Sequence, residues 1–183
     1  MPDQSKHVLI ALVENKPGVL NRVASLFRRR NFNIDSLTVG RTESPNVSRM
    51  TIVVDASTAE QVQKQLYKLI NVIQVEVVSH IPSISRDLAL IKVHVDNETR
   101  NQVVQLCEIF RARIVDAGPE NVIVEVTGDE DKISSMIELL RPIGIMEMVR
   151  TGVVAMTRGD HVLSQNGYEV RASNGNGHWA SVL

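Results

Sequence analysis

The hydrophobic positions in the first half of the chain follow two periods, one typical of strands and one typical of helices. Apolar runs and alternating stretches predict four strands, and two stripes with helical spacing predict two helices. In order along the chain, these six elements are predicted at residues 7–13, 19–27, 34–41, 50–54, 57–70 and 73–77. The apolar face of the second helix is expected at Val62, Leu66, Leu69 and Ile70. The predicted order is therefore βαββαβ.

The second half of the chain repeats this order. Its elements are predicted at residues 91–95, 103–110, 114–115, 122–126, 133–140 and 143–156. Arg141-Pro142 is expected to end the fourth helix, because the residue before a proline avoids the helical conformation. The last strand is expected to bend or break near Gly152.

The repeated order predicts an α+β fold of two ferredoxin-like βαββαβ domains. Each domain would place two helices on one face of an antiparallel four-stranded sheet. An N-terminal domain is expected at residues 6–80 and a C-terminal domain at residues 84–158. The tail at residues 159–183 is expected to be flexible, because it is strongly polar near Asn174–Gly177. Because each half is small, burial of its open sheet face by a partner is also expected.

Composition narrows the possible functional classes. The 183 residues carry a formal net charge of −1, so the chain has no global electrostatic reason to bind nucleic acid or an anionic membrane. No apolar run approaches the roughly 18 residues of a membrane span, and residues 1–6 do not resemble a secretory signal. Cys107 is the single cysteine, which fits a reducing compartment. The cytoplasm is therefore the expected location.

No set of residues in the sequence indicates catalysis. The five histidines lack metal-ligand spacing, and Cys107 lies on an apolar helical stripe, which indicates a core position. His94 and Asp96 would suit an acid–base pair, although the alternation of a solvated strand face accounts for them better. Three arginines at residues 28–30 indicate a solvated helix end that complements the helix dipole.

The strongest candidate for chemistry is the segment at residues 14–20, Glu-Asn-Lys-Pro-Gly-Val-Leu, between the first strand and the first helix. Pro17 suits the first helical position, where an N–H is not needed, and Gly18 lets a ligand approach the backbone. The amides that follow offer a carboxylate the positive end of a helix dipole, and Asn15 can accept a hydrogen bond from an ammonium group. From these residue types alone, an ordinary strand-to-helix turn remains an open alternative.

Residues 13–20 on a βαββαβ frame resemble the ACT domain, a small-molecule-sensing module. Further segments are similar to the small regulatory subunit of acetolactate synthase, also called acetohydroxyacid synthase. These segments lie at residues 30–39, 48–52, 108–112 and 150–159. The resemblance therefore extends over roughly residues 7–160 and rests on much more than the Pro-Gly turn.

This resemblance implies a regulatory subunit without catalytic activity of its own. It implies that the chain binds a catalytic large subunit, raises its activity and makes it sensitive to feedback inhibition by branched-chain amino acids. Valine is the expected effector, with leucine and isoleucine as the other candidates. Thiamine diphosphate, Mg²⁺ and FAD are expected on the catalytic partner, and no cofactor is expected in this chain.

The resemblance also implies that the effector lies between paired ACT domains of a homodimer. By position, the effector-binding residues are expected to be Asn15, Gly18, Val19, Leu20, Asn33 and Ile34. The last two would come from the neighbouring subunit, with the amide of Asn33 binding the effector's charged groups and Ile34 forming part of an apolar wall. Lys16 departs from the family pattern, in which smaller or acidic residues are also common, so its charge could alter affinity.

Two other functional classes are compatible with an ACT-like sequence. The first is an amino-acid sensor that regulates another enzyme or a transcription factor, although the sequence has no helix-turn-helix pattern and no basic surplus. The second is a stand-alone enzyme on a ferredoxin-like scaffold, although the sequence offers no paired acid and base, nucleophile or metal set.

Overall fold

The structure is a computed structural model that describes residues 6–163. The chain divides into two compact units. The first unit comprises residues 6–82 together with residues 157–163, and the second unit comprises Ser83–Met156. No helix among the described residues is long and apolar enough to cross a membrane.

The first unit has the predicted βαββαβ order. Its elements are β1 (Lys6–Glu14), α1 (Val19–Arg30), β2 (Ser36–Arg41), β3 (Val47–Asp55), α2 (Ala59–Leu66) and β4 (Val72–Val77). The strands form an antiparallel sheet in the order β2-β3-β1-β4, with Leu9 opposite Ile52 at its centre. Because side chains alternate along a strand, Leu9, Ala11 and Val13 share one face of β1 and pack in one core with the helices.

Helix α1 forms because its apolar residues recur at helical spacing. Val19, Val23, Leu26 and Phe27 are all buried on one face. Asn31 ends the helix in the left-handed conformation with φ 53°, and its amide donates to the carbonyl oxygens near the helix end. The three arginines at residues 28–30 occupy the exposed last turn, as the sequence predicted.

The prediction for the second helix was wrong at its C-terminal end. Helix α2 ends at Leu66, and Ile70, expected on its apolar face, is 84% exposed. The reason lies in Tyr67, whose hydroxyl donates to the carbonyl of Val75 at 2.8 Å and accepts from the amide of Val75 at 3.1 Å. These bonds attach the helix end to β4, so the chain turns back before Ile70.

The second unit repeats the order with one additional strand. Its elements are β5 (Ser83–His94), α3 (Thr99–Phe110), β6 (Arg113–Ala117), β7 (Asn121–Gly128), α4 (Glu130–Gly144), β8 (Ile145–Arg150) and β9 (Val154–Thr157). The sheet order is β6-β7-β5-β8, and β9 also pairs with β5. The core is built from Val, Ile, Leu, Met and Ala side chains and Cys107. The fold-class prediction of two ferredoxin-like βαββαβ units is confirmed.

The end of α4 differs from the prediction. Arg141-Pro142 does not end the helix, which continues through Pro142 to Gly144. The fixed φ of proline is close to the helical value, and Pro142 lies in the last turn of α4, where its missing N–H removes one backbone hydrogen bond of the helix. Gly144, with φ 125°, then leads the chain into β8.

The predicted break near Gly152 is confirmed between β8 and β9. A buried polar cluster holds this break in place. The guanidinium of Arg150 donates through two nitrogens to the carboxylate of Asp87, which is 3% exposed. The hydroxyl of Thr151 donates to the other carboxylate oxygen of Asp87 at 3.1 Å. These bonds satisfy the buried charge of Asp87 and fix the point at which the edge strand departs.

Residues 159–163, the start of the expected tail, belong to the first unit. The imidazole Nε2 of His161 lies 2.9 and 3.0 Å from the two carboxylate oxygens of Glu76 in β4. The expectation of flexibility for the rest of the tail concerns residues 164–183, which lie outside the described residues.

Candidate functional site

The loop between β1 and α1 ends in an exposed glycine. Gly18 is the N-cap of α1 and has φ 84°, a conformation that L side chains rarely adopt. A methyl group placed on Gly18 would meet no atom within 4 Å, so the space beside this backbone is open. Pro17 was expected at the first helical position, but the helix begins at Val19, which places Pro17 one residue before the cap.

The first turn of α1 offers donors that its own side chains do not cap. Gly18 has no side-chain cap, and the first turn carries no acidic residue. The amide of Val19 donates to the carbonyl of Lys16 over a long 3.3 Å, and the amide of Leu20 is among the four that a helix leaves without an intrahelical acceptor. These donors and the helix dipole favour binding of an anion. The side chain of Leu20 is 47% exposed beside them and provides an apolar surface.

Asn15 attaches the loop to the turn between β2 and β3. Its backbone amide donates to the carbonyl of Asn46 at 2.7 Å, and its side-chain Nδ2 donates to the carbonyl of Pro45 at 2.9 Å. One of the two side-chain hydrogens is therefore used within the protein. The carbonyl oxygen Oδ1 can still accept a hydrogen bond from an ammonium group.

A polar network that the sequence did not reveal holds the opposite side of the loop. Asn71, just before β4, donates through Nδ2 to a carboxylate oxygen of Glu14. Its Oδ1 accepts from the guanidinium of Arg22 at 2.6 Å. Lys16 donates to the other carboxylate oxygen of Glu14 at 3.1 Å, so the charge of Lys16 has a partner in the same loop. Asn71 carries no sequence signal of this role, because it follows a helix at an unremarkable turn.

The structure places Asn33 and Ile34 away from this loop within one chain. They follow the last turn of α1, whereas Gly18 precedes its first turn, and a 12-residue helix is about 18 Å long. Asn33 is exposed and donates to the carboxylate of Asp35 at 3.0 Å, and Asp35 lies 3.9 Å from the ammonium of Lys6 at the start of β1. Ile34 is half-buried against the first core. A single chain therefore does not bring the two predicted groups of site residues together.

The loop between β5 and α3 has the same position in the second unit but a different chemistry. The carboxylate of Asp96 accepts from the amide of Thr99 at 2.8 Å, from the Thr99 hydroxyl at 2.8 Å and from the amide of Glu98 at 2.9 Å. These bonds stabilise the ionised form, so they hold the pKa of Asp96 below its ordinary value. Two donors at the start of α3 are thus already bound to an anion of the chain itself.

In the part of the chain that the structure describes, the side chains of Cys107, His94 and Asp96 do not form a reactive centre. Cys107 is buried in the second core, and burial raises the pKa of its thiol, which disfavours the nucleophilic thiolate. Strand β5 ends at His94, so Asp96 lies beyond the strand and binds its own loop. Within residues 6–163, no three His, Cys, Asp or Glu side chains lie close enough together to hold a metal ion.

Family models match both units. A model described as the small subunit of acetolactate synthase matches residues 86–159. A second model, described as the ACT domain of the small subunit of acetohydroxyacid synthase and similar proteins, matches residues 9–74. The second match contains the loop between β1 and α1, Asn33 and Ile34.

Similar proteins are known from archaea and bacteria. The probable acetolactate synthase small subunit of Archaeoglobus fulgidus is 58% identical over 157 residues, which cover 85% of this chain and 98% of that protein. The acetolactate synthase small subunit of Mycobacterium leprae is 53% identical, with 84% and 92% covered. The crystal structure of the Thermotoga maritima small subunit matches with a TM-score of 0.78 and 44% identity, covering 85% of this chain and 99% of that one.

Proposed function

The chain belongs to the family of acetolactate synthase small subunits, and from this premise we propose that it makes a catalytic large subunit sensitive to branched-chain amino acids. A small subunit of this enzyme implies a catalytic large-subunit partner. The proposal adds that binding of this chain raises the activity of that partner, and that an effector, with valine as the first candidate, reverses the gain. The chain itself contributes regulation, and the reaction takes place on the partner.

The observation that carries the proposal is the open N-terminus of α1. An amino-acid effector has one carboxylate and one ammonium group at a fixed separation. The uncapped amides after Gly18 suit the carboxylate, and the Oδ1 of Asn15 suits the ammonium group. The exposed side chain of Leu20 would contact an aliphatic side chain, which favours a branched-chain amino acid over a polar one.

The remaining effector contacts would come from a second copy of the chain. Asn33 and Ile34 lie at the far end of α1 in their own chain, so they can reach an effector at Gly18 only from a neighbouring chain. Strand β2 supports such a pairing, because it is an edge strand of the first sheet and Val39 on it is 42% exposed. In a homodimer with two-fold symmetry, each copy would supply half of each site.

Coupling between the effector and the catalytic partner follows from this arrangement. An effector bound between two copies favours one packing of the copies over another, and the partner binds the two packings with different affinity or activity. We assign thiamine diphosphate, Mg²⁺ and FAD to the catalytic partner, and no cofactor to this chain. We place the complex in the cytoplasm, which suits the single buried thiol of Cys107.

The direct test is reconstitution with the catalytic subunit encoded in the same genome. Acetolactate formation would be measured with and without this chain, and then with valine, leucine or isoleucine. The proposal predicts higher activity with the chain and a loss of that gain with at least one of the three amino acids. Absence of binding to the catalytic subunit, or an unchanged rate, would overturn it.

A second candidate function is amino-acid sensing that regulates a different enzyme or a transcription factor. The same open helix N-terminus would serve such a sensor, so the site alone does not separate the two. The match to small subunits across both units favours acetolactate synthase. Pull-down with the catalytic subunit distinguishes the two functions, since a sensor for another target would bind the effector but not that subunit.

A further inference from the structure

Asn71 contacts both the strand before the loop at residues 15–18 and the helix after that loop. Its backbone carbonyl accepts from the amide of Glu14 at 2.9 Å, and its side-chain Nδ2 donates to the Glu14 carboxylate. Its Oδ1 accepts from the guanidinium of Arg22 at 2.6 Å. Glu14 is the last residue of β1, and Arg22 belongs to the first turns of α1. One amide side chain therefore joins the two elements that the loop connects.

The amide of Arg22 also donates to the carbonyl of Gly18 at 3.0 Å, which is the first hydrogen bond of α1. The bond from Arg22 to Asn71 thus links the first turn of the helix to the end of β1. That turn carries the uncapped amides that we assign to the effector carboxylate. A change in the orientation of the turn would misalign those donors, because hydrogen bonds weaken steeply when the angle falls below about 120°.

The loop is held on two sides, and the two sides differ in strength. On the side of β3, the bonds from Asn15 go to neutral carbonyl oxygens of Pro45 and Asn46. On the side of β4, both side-chain bonds of Asn71 involve a charged partner, and bonds of this kind are roughly twice as strong as neutral ones. The β4 side therefore contributes charged side-chain hydrogen bonds that the β3 side lacks.

From this geometry we propose that Asn71 is a positioning residue for the effector site. The hydrogen bonds that join Glu14, Asn71 and Arg22 set effector affinity, although none of these side chains touches the effector. The inference rests on the proposed function of the loop after β1. It adds a residue from outside the loop, contributed by the turn between α2 and β4.

The hydrogen bond between Asn71 and Glu14 can be tested by exchanging its donor and its acceptor. In Asn71→Asp, the new carboxylate still accepts from Arg22 but repels the carboxylate of Glu14. In the double variant Glu14→Gln with Asn71→Asp, the amide introduced at position 14 donates to the carboxylate introduced at position 71, which again accepts from Arg22. The double variant restores both links with donor and acceptor exchanged.

The experiment uses the reconstituted complex with its catalytic subunit and measures the valine concentration that gives half inhibition. Asn71→Asp should raise this concentration about tenfold, the loss expected when the displaced amides of α1 fail to make one hydrogen bond to the charged effector carboxylate. The double variant should return it to within about threefold of the wild type. Activation without valine should stay unchanged in both variants, and Lys68→Ala, an exposed change in the same turn, should leave inhibition unaltered.

The possible outcomes separate this inference from the proposed function. If the wild-type complex is not inhibited by valine, leucine or isoleucine, the proposed function itself fails. If the wild type is inhibited and Asn71→Asp is inhibited equally well, the positioning role is wrong. Equal loss of activation and inhibition, with no recovery in the double variant, would show that Asn71 serves only the stability of the fold, and this result too would overturn the inference.

Discussion

The loops that lead into α1 and α3 occupy equivalent places in the two units, and they use the first turn of the helix differently. Before α3, the carboxylate of Asp96 accepts hydrogen bonds from the amides of Glu98 and Thr99. Before α1, Gly18 caps the helix with no side chain and leaves open space beside it. The start of α3 therefore binds a carboxylate of the chain itself, whereas the start of α1 is open to an anion from outside.

The two loops also share one feature, because each is attached by a side chain to a neighbouring turn of its own unit. Asn15 connects the first loop to the turn between β2 and β3, and Arg100 connects the start of α3 to the turn between β6 and β7. The guanidinium of Arg100 donates to the carbonyl of Gly118 at 2.9 Å and to that of Pro119 at 2.6 Å. Attachment to the neighbouring turn is therefore a property of both units, whereas the uncapped helix start belongs to the first alone. The proposed effector function rests on this difference.

The largest effect is expected from Gly18→Ala. A side chain at φ 84° is strained, and its Cβ would enter the open space beside the amides. Because this strain is present with and without effector, the loss of inhibition is expected from the Cβ, which would occupy the space of the carboxylate and remove one or two charge-assisted hydrogen bonds. A loss of about 3 kcal/mol corresponds to a roughly hundredfold higher valine concentration for half inhibition of the reconstituted complex. Gly159→Ala is the matched control, because Gly159 also has positive φ (67°) and open space. An equal effect of the two variants would mean that strain alone explains the loss.

Asn15→Ala should come next. It removes the acceptor for the effector's ammonium group and one bond to Pro45, so we expect about tenfold weaker inhibition. Affinity for the catalytic subunit, measured by titration of activity, should change by less than about twofold. Asn97→Ala, in the corresponding loop of the second unit, serves as the control. Equal losses of inhibition and subunit affinity in Asn15→Ala would assign Asn15 to the fold or the dimer.

Asp96→Ala should affect stability and leave inhibition intact. The pKa of Asp96 is lower in the folded protein than its ordinary value of 3.8, so the ionised carboxylate stabilises the fold above that value. This contribution is lost as the pH falls through the lower folded pKa. Thermal unfolding should therefore show a lower midpoint for Asp96→Ala than for the wild type at pH 7, and the gap should close in strong acid. A gap that widens below pH 3.8 would contradict the assignment.

The smallest effect is expected from Lys16→Ala. Lys16 pairs with Glu14 at 3.1 Å, but its side chain is 59% exposed, and exposed pairs contribute only about 0–1 kcal/mol. Half inhibition by valine should shift by less than about fivefold, and the shift should shrink further at high salt. A large shift that persists in high salt would mean that Lys16 contacts the effector directly.

Most of the fold could be predicted because its elements follow from periodicity. Alternation of apolar and polar residues indicates strands at β3 and β5, and the apolar stripe of α1 indicates a helix. The errors lie at the C-terminal ends of α2 and α4, where features outside the apolar stripe determine the last helical residue. The hydroxyl of Tyr67 bound to Val75 ends α2 early, and Pro142 is accommodated in the last turn of α4. Neither outcome is encoded in the local pattern.

The site was predicted unevenly for the same reason. Gly18 and the helix start could be proposed from the sequence, because an unusual backbone conformation and a helix dipole are local properties. The bonds from Asn71 to Glu14 and Arg22 join residues 57 and 49 positions apart, and no short motif indicates them. The partner half of the site, at Asn33 and Ile34, depends on a second chain and stays a prediction.

The central claim is that the effector carboxylate binds the amides at the start of α1 and not those at the start of α3. Backbone amide NMR of this chain during titration with valine tests the claim most directly, since it reports each donor separately. The account predicts that the amide signals of Val19 and Leu20 move and saturate, while those of Glu98 and Thr99 stay in place. Movement of the Glu98 and Thr99 signals instead, or saturable binding that leaves Val19 and Leu20 unchanged, would contradict it.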